Sequence, residues 1–175
     1  CQYNPSKKGS IGGSMKNIVV FLIGLFLIFL EAFFTNHISS FLSIDLLLIY
    51  IILISLYMDK SYALIEVGLL GLLSDLVVGG IVGITALLFM AASYFISTVE
   101  KSIFKDKKLI VLFLVFVISI VYSIINAVVS AIFYVPVPLI LVLLKGVILI
   151  PLLNVGVAFL AYSLFGDLLM KLREE

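Results

Sequence analysis

The sequence predicts an all-α integral membrane protein of six transmembrane helices with both ends on one side of the bilayer. Three observations predict it. Of the 175 residues, 64% are hydrophobic and 12% charged, with a mean hydropathy of +1.37, too little polar surface for a soluble domain. The apolar residues fall into six stretches of roughly 17 residues or more, the length that crosses a hydrocarbon core of about 30 Å. The basic residues between the stretches fall on one face.

The first stretch is Ile18 to Phe34, preceded by Lys16. The second, Phe41 to Met58, contains Asp45 near its start and is followed by Asp59-Lys60. An apolar run from Ala63 to Ile96 is interrupted only by Glu66, Ser74-Asp75 and Gly79-Gly80. As a single helix it would be about 50 Å long, too long for one ordinary crossing. We therefore divide it into Tyr62 to Val78 and Ile81 to Thr98, with Gly79-Gly80 as a tight turn, because glycine tolerates backbone angles that other residues avoid. The fifth stretch, Leu109 to Tyr134, ends at Val135-Pro136-Val137-Pro138, where residues before proline leave helical geometry. The sixth, Leu139 to Phe165, carries Pro151, expected to kink it or to be accommodated by a neighbour.

Six crossings place Lys16, Lys60, Lys101, Lys105, Lys107, Lys108, Lys171 and Arg173 on the same face, and none of the connections on the other face carries a Lys or Arg. Basic residues in short loops resist translocation, so that face is expected to be cytoplasmic, with both termini. Five or seven crossings would split these residues between the two sides. The loop from Lys101 to Lys108 anchors the topology and also suits contact with anionic lipid headgroups.

Residues 1–14 read as a tail foreign to the rest, a flexible linker or an expression scar, because Gly9-Ser10-Ile11-Gly12-Gly13-Ser14 precedes Met15-Lys16-Asn17, which reads as a natural start. A single domain, 15–175, follows. Cys1 is the only cysteine, which excludes an intramolecular disulfide. Lipidation of Cys1 would put the amino end outside, against the charge pattern.

Ionisable side chains within a span cost about 2.5 to 3.5 kcal/mol each and so face protein or water. Counting about 1.5 Å per residue, Glu31, Asp75 and Asn126 reach about 20 to 25 Å from the cytoplasmic side, and Lys145 lies about 10 Å below the outer surface, at nearly the same level. Lys145 is expected to pair with Asp75, Glu31 or both, either holding the helices together or lining a pocket. Glu66 and Asn154 are the remaining candidates, but about 10 Å of depth separates them. Ser119, Ser123, Ala127 and Ala131 recur every four residues, so one face of the fifth helix can approach a neighbour closely, inside the protein or on a partner. The surface formed by Gly68 and Gly71 is a second candidate for such a face.

Enzyme chemistry finds little in this sequence. The single histidine, His37, lies in a loop, no serine has a base placed by spacing to activate it, and no metal-binding or nucleotide-binding pattern is present, so neither a metal nor a cofactor is expected. Nucleic-acid binding has no platform.

The run Gly68-Leu-Leu-Gly-Leu-Leu-Ser-Asp-Leu-Val-Val-Gly-Gly-Ile-Val-Gly-Ile-Thr-Ala-Leu resembles the most recognisable segment of the bacterial rod shape-determining protein MreD family. The resemblance rests on Gly71 four residues before Asp75, then Gly83 and Ala86-Leu87. Asp45-Leu46-Leu47-Leu48 also resembles the family, although Ile44 replaces a proline often found before that aspartate. The resemblance implies a non-enzymatic inner-membrane scaffold of the elongation machinery that builds lateral peptidoglycan. Its implied partners are the single-span protein MreC and, through it, MreB filaments and the RodA glycosyltransferase with its transpeptidase. The family is similar in fold to the S components of energy-coupling-factor vitamin transporters, which implies an S-component-like bundle and supplies the alternative function of vitamin uptake. The absence of tryptophan speaks against a vitamin-gripping pocket.

Overall fold

The computed structural model describes residues 6–37, 44–78, 81–99, 108–133 and 144–174. The described residues form α1 (Ser6–His37), α2 (Leu46–Tyr57), α3 (Lys60–Val78), α4 (Ile84–Val99), α5 (Lys108–Phe133) and α6 (Ile150–Glu174), with a π-helical turn, Lys145–Leu149, leading into α6. There is no strand among them. The expected turn at Gly79-Gly80, the Lys101 to Lys107 part of the basic loop and the Val135 to Pro138 turn lie outside the described residues. The helical backbone of α1 begins at Ser6 and includes the glycine-rich stretch before Met15.

Among the described residues, four helical segments are long and apolar enough to cross a membrane: Lys16–Phe33, Lys60–Val78, Lys108–Phe133 and Lys145–Gly166. Their outward faces carry large apolar side chains, among them Phe26 at 64% and Phe113 at 68% exposure. That much exposed hydrocarbon is stable against lipid and a liability in water. The protein is a multi-pass helical membrane protein. The two remaining helices, α2 with 12 residues and α4 with 16, are shorter.

Short α2 lies at the centre. Apart from Leu46 and Tyr50 every residue of it is buried, as expected of a helix that is apolar on all sides. It touches each of the other five helices, while α3 pairs most extensively with α4, and α5 with α6. The main core gathers Leu48, Ile52 and Leu56 of α2 with Ile28 of α1, Leu70 of α3, Phe89 of α4 and Val115 of α5. Hydroxyls supplement this packing: those of Ser55 and Ser93 lie 2.8 Å apart between α2 and α4, and Ser97 Oγ is 3.5 Å from the Ser55 carbonyl.

Cations mark one end of the bundle. Lys60 at the start of α3 lies 3.9 Å from the ring centre of Tyr94 and 3.4 Å from Thr98 Oγ1, both late in α4. Lys108 at the start of α5 lies 3.6 Å from the ring centre of Phe159 on α6. Lys60 at the start of α3 meets the late part of α4, and Lys108 at the start of α5 meets Phe159 while Ser123, later in α5, faces Gly146 ahead of α6, so α3 with α4 and α5 with α6 run in opposite directions. Cation and aromatic contacts of this kind suit a membrane interface.

The kink expected at Pro151 takes a specific form. Proline cannot donate to the carbonyl four residues back and its ring crowds it. The chain winds wide just before it, with Ile150 N–H bonding Lys145 O five residues back, so that α6 continues through Pro151.

Candidate functional site

The N-terminus of α2 lies inside the protein, and four helices meet there. A helix start leaves amide groups without intrahelical acceptors, and away from water they need partners. The Asp45 side chain does not cap its own helix. Two neighbouring helices do so instead: Glu31 Oε2 on α1 accepts from Leu47 N–H at 3.0 Å, and Asn154 Oδ1 on α6 accepts from Asp45 N–H at 3.1 Å. A carboxylate at the positive end of a helix dipole is favourably placed.

The rest of Asn154 completes the cluster. Its amide nitrogen reaches Ser119 Oγ on α5 at 3.1 Å and Asp45 Oδ2 at 3.4 Å, so one fully buried side chain joins α2, α5 and α6. Nearby, the Tyr50 hydroxyl donates to the carbonyl of Val20, tying α2 to α1. Of the residues singled out from sequence, Glu31, Asp45 and Ser119 come together here. From sequence, Asp45 stands out only through the family resemblance and Asn154 has no partner at its depth; the structure gives Asn154 the partners Asp45 and Ser119. An aspartate just before an apolar helical run was the available signal.

Asp75 belongs to a second site. Its Oδ2 accepts from Gly83 N–H at 2.7 Å, closing the connection between α3 and α4. Gly83 has φ of +98°, a left-handed value that disfavours any side chain. Of the two acids expected to pair with Lys145, Asp75 or Glu31, Asp75 thus has a backbone amide as a hydrogen-bond partner. Its helix, α3, packs mainly on α4 and α1, whereas the π turn that carries Lys145 packs on α5 and α6. Lys145 is partly buried at the start of that turn, and Asn126 is partly buried on α5, two turns beyond Ser119.

The small-residue faces are packing surfaces within the protein. Gly71 lies against the backbone of Ala86 and Gly68 against the side chain of Met90, both on α4, so of the two neighbours left open by the sequence, internal or partner, the one seen here is internal. Ser119, Ser123 and Ala127 are buried, with Ser123 facing Gly146 of the π turn, while Ala131 is exposed. No group of three or more His, Cys, Asp or Glu among the described residues is placed to hold a metal ion.

Fold and polar sites together define a multi-pass helical membrane protein whose best-placed polar groups fasten its own helices. The residues that carry the family resemblance are the ones with identifiable structural work: Asp45 at the α2 start, Asp75 and Gly83 at the α3–α4 turn, Gly71 at the α3–α4 contact. The chain belongs to the MreD family, since the family model described as rod shape-determining protein MreD matches residues 13–152. No curated protein and no solved structure matches the chain. The family assigns it a role in determining rod shape.

Proposed function

We propose that this chain is a non-enzymatic scaffold in the bacterial inner membrane, serving the machinery that lengthens rod-shaped cells by lateral peptidoglycan synthesis. In this reading it crosses the bilayer six times, with both termini and the Lys60 and Lys108 end in the cytoplasm. It holds an MreC-like single-span protein and through it acts on MreB filaments and on RodA with its transpeptidase. Membership of the MreD family carries the reading. The polar sites support it: Asp45, Asn154, Ser119 and Asp75 have hydrogen-bond partners within the chain, which suits a framework better than a vitamin pocket of S-component type.

Affinity purification from gently solubilised membranes tests the role. A single-span partner is expected to co-purify, and depletion of the protein is expected to round the cells. An ATPase module with a retained vitamin, together with normal rods on depletion, would replace the scaffold by a transporter component.

Orientation has its own test, because in the six-crossing reading the eight basic residues that lie outside the apolar stretches within residues 15–175 fall on one side. With single cysteines introduced at positions 37 and 105, an impermeant thiol reagent added to intact cells is expected to label position 37 and spare position 105. The opposite pattern would invert the topology.

A further inference from the structure

Glu66 is the buried acid that the framework does not use. It lies six residues past Lys60 on α3, is 7% exposed, and its Oε1 is enclosed with no hydrogen-bond partner among the described residues. Glu31, Asp45 and Asp75 each accept a hydrogen bond from a neighbouring amide. An enclosed carboxylate oxygen without a donor is destabilising, and within a membrane span more so, so the isolated protein gains nothing by keeping it. Lys60 points elsewhere, onto Tyr94 and Thr98 of α4.

Glu66 also lines an open groove of about 310 Å³ between α1 and α3. Ile18 and Leu22 form the α1 wall, Ile65 and Leu69 the α3 wall, and Asn17 and Tyr62 stand at one end. Tyr62, Ile65, Glu66 and Leu69 follow the i, i+3, i+4, i+7 spacing of one helix face, and Ile18 and Leu22 are one turn apart. The apolar walls are about half exposed, so a further helix can lie between them.

We propose that this groove docks the single transmembrane helix of the partner protein, with a Lys or Arg near the cytoplasmic end of that helix donating to Glu66; the inference rests on the scaffold reading above. Charge decides the occupant. Glu66 is about 9 Å along α3 from Lys60, within reach of a long basic side chain on a helix packed in the groove. Single spans carry basic residues at their cytoplasmic flanks, which supplies the donor at the right end. The ammonium group of a phospholipid stays at the headgroup level, more than a turn too shallow. A buried acid meeting a base across two helices makes the contact specific, since truncating one partner of such a pair leaves the other unpaired.

The test uses the full chain with an epitope-tagged single-span partner. A photo-crosslinking residue at Ile65 or Leu22 is expected to capture the partner, and one at Phe113, on the distant and exposed face of α5, to capture about tenfold less or none. Glu66→Leu and the nearly isosteric Glu66→Gln are both expected to lower the co-purified partner about tenfold or more, because each leaves the partner's cation without its counter-charge; full retention by Glu66→Gln overturns the charge pairing. Because the unsatisfied carboxylate is gone, the purified Glu66→Leu protein should unfold at a temperature no lower than the parent, which separates lost docking from misfolding. Capture from Phe113 with none from Ile65 overturns the groove and leaves the scaffold reading standing, and so does capture of phospholipid alone at Ile65. Failure of the unmodified protein to retain a single-span partner overturns both.

Discussion

Gly71→Ala is expected to destabilise the protein by about 1–3 kcal/mol, the usual range for overpacking a well-filled interior, and Gly71→Leu to prevent α3 from pairing with α4. A Cβ at this position would stand 2.5 Å from Ala86 Cα and 2.9 Å from Ala86 N. These are helix backbone atoms and cannot rotate aside, so relief requires the two helices to separate along their length. Gly68 provides a graded comparison, because its Cβ would meet Met90 Sδ at 3.0 Å and a flexible thioether can yield. Gly156→Ala meets nothing within 4 Å and should be neutral or stabilising by up to about 1 kcal/mol through helix propensity. Thermal unfolding in detergent distinguishes the three. A Gly71→Leu protein as stable as the Gly156→Ala protein would mean that α3 and α4 are not in close contact.

Asn154→Leu is expected to cost nearly as much. The substitution orphans Asp45 N–H, removes the donor facing Asp45 Oδ2 and strips Ser119 Oγ of its partner at one stroke. Interhelical hydrogen bonds in membrane proteins average only about 0.6 kcal/mol, but each polar group left buried without a partner costs about 1–3 kcal/mol. The sum is expected near the upper end of single-substitution effects, with α5 and α6 loosened from α2. Combining Asn154→Leu with Asp45→Leu should cost less than the two single losses added together, because the second change removes a group that the first has stranded. Additive losses in this cycle would show that the two side chains do not interact.

What could be read from the sequence was the position of each residue along its own helix. The third apolar stretch runs from Tyr62 to Val78, and α3 starts two residues earlier, at Lys60, and ends on Val78; α5 lies within one residue of the apolar stretch at either end. Depth alone could not show which way a side chain faces. Asp75 and Lys145 share a level by counting residues, yet Asp75 turns to Gly83. The start of α2 was equally hidden. The apolar stretch opens at Phe41, but the helix begins at Leu46, where Glu31 and Asn154 from distant parts of the chain receive its first amides. A hydropathy window measures transfer into lipid and does not register acceptors from other helices. For the same reason the small residues of α3 could be recognised as a close-packing face while the identity of the neighbour, Ala86, depended on how two helices pair. Glu66 was visible as an intramembrane acid, but the groove beside it required the placement of α1.

Central α2 also bears on how the protein is made. Most membrane helices are stable individually on entering the bilayer and associate afterwards. A helix of 12 residues is about 18 Å long, well short of the hydrocarbon thickness, and its first amides are satisfied by side chains of α1 and α6. Before those side chains arrive, the Asp45 end of α2 has no low-energy position in lipid. Glu31 precedes α2 in synthesis, whereas Asn154 follows Asp45 by 109 residues, so the second acceptor for the start of α2 comes only with α6.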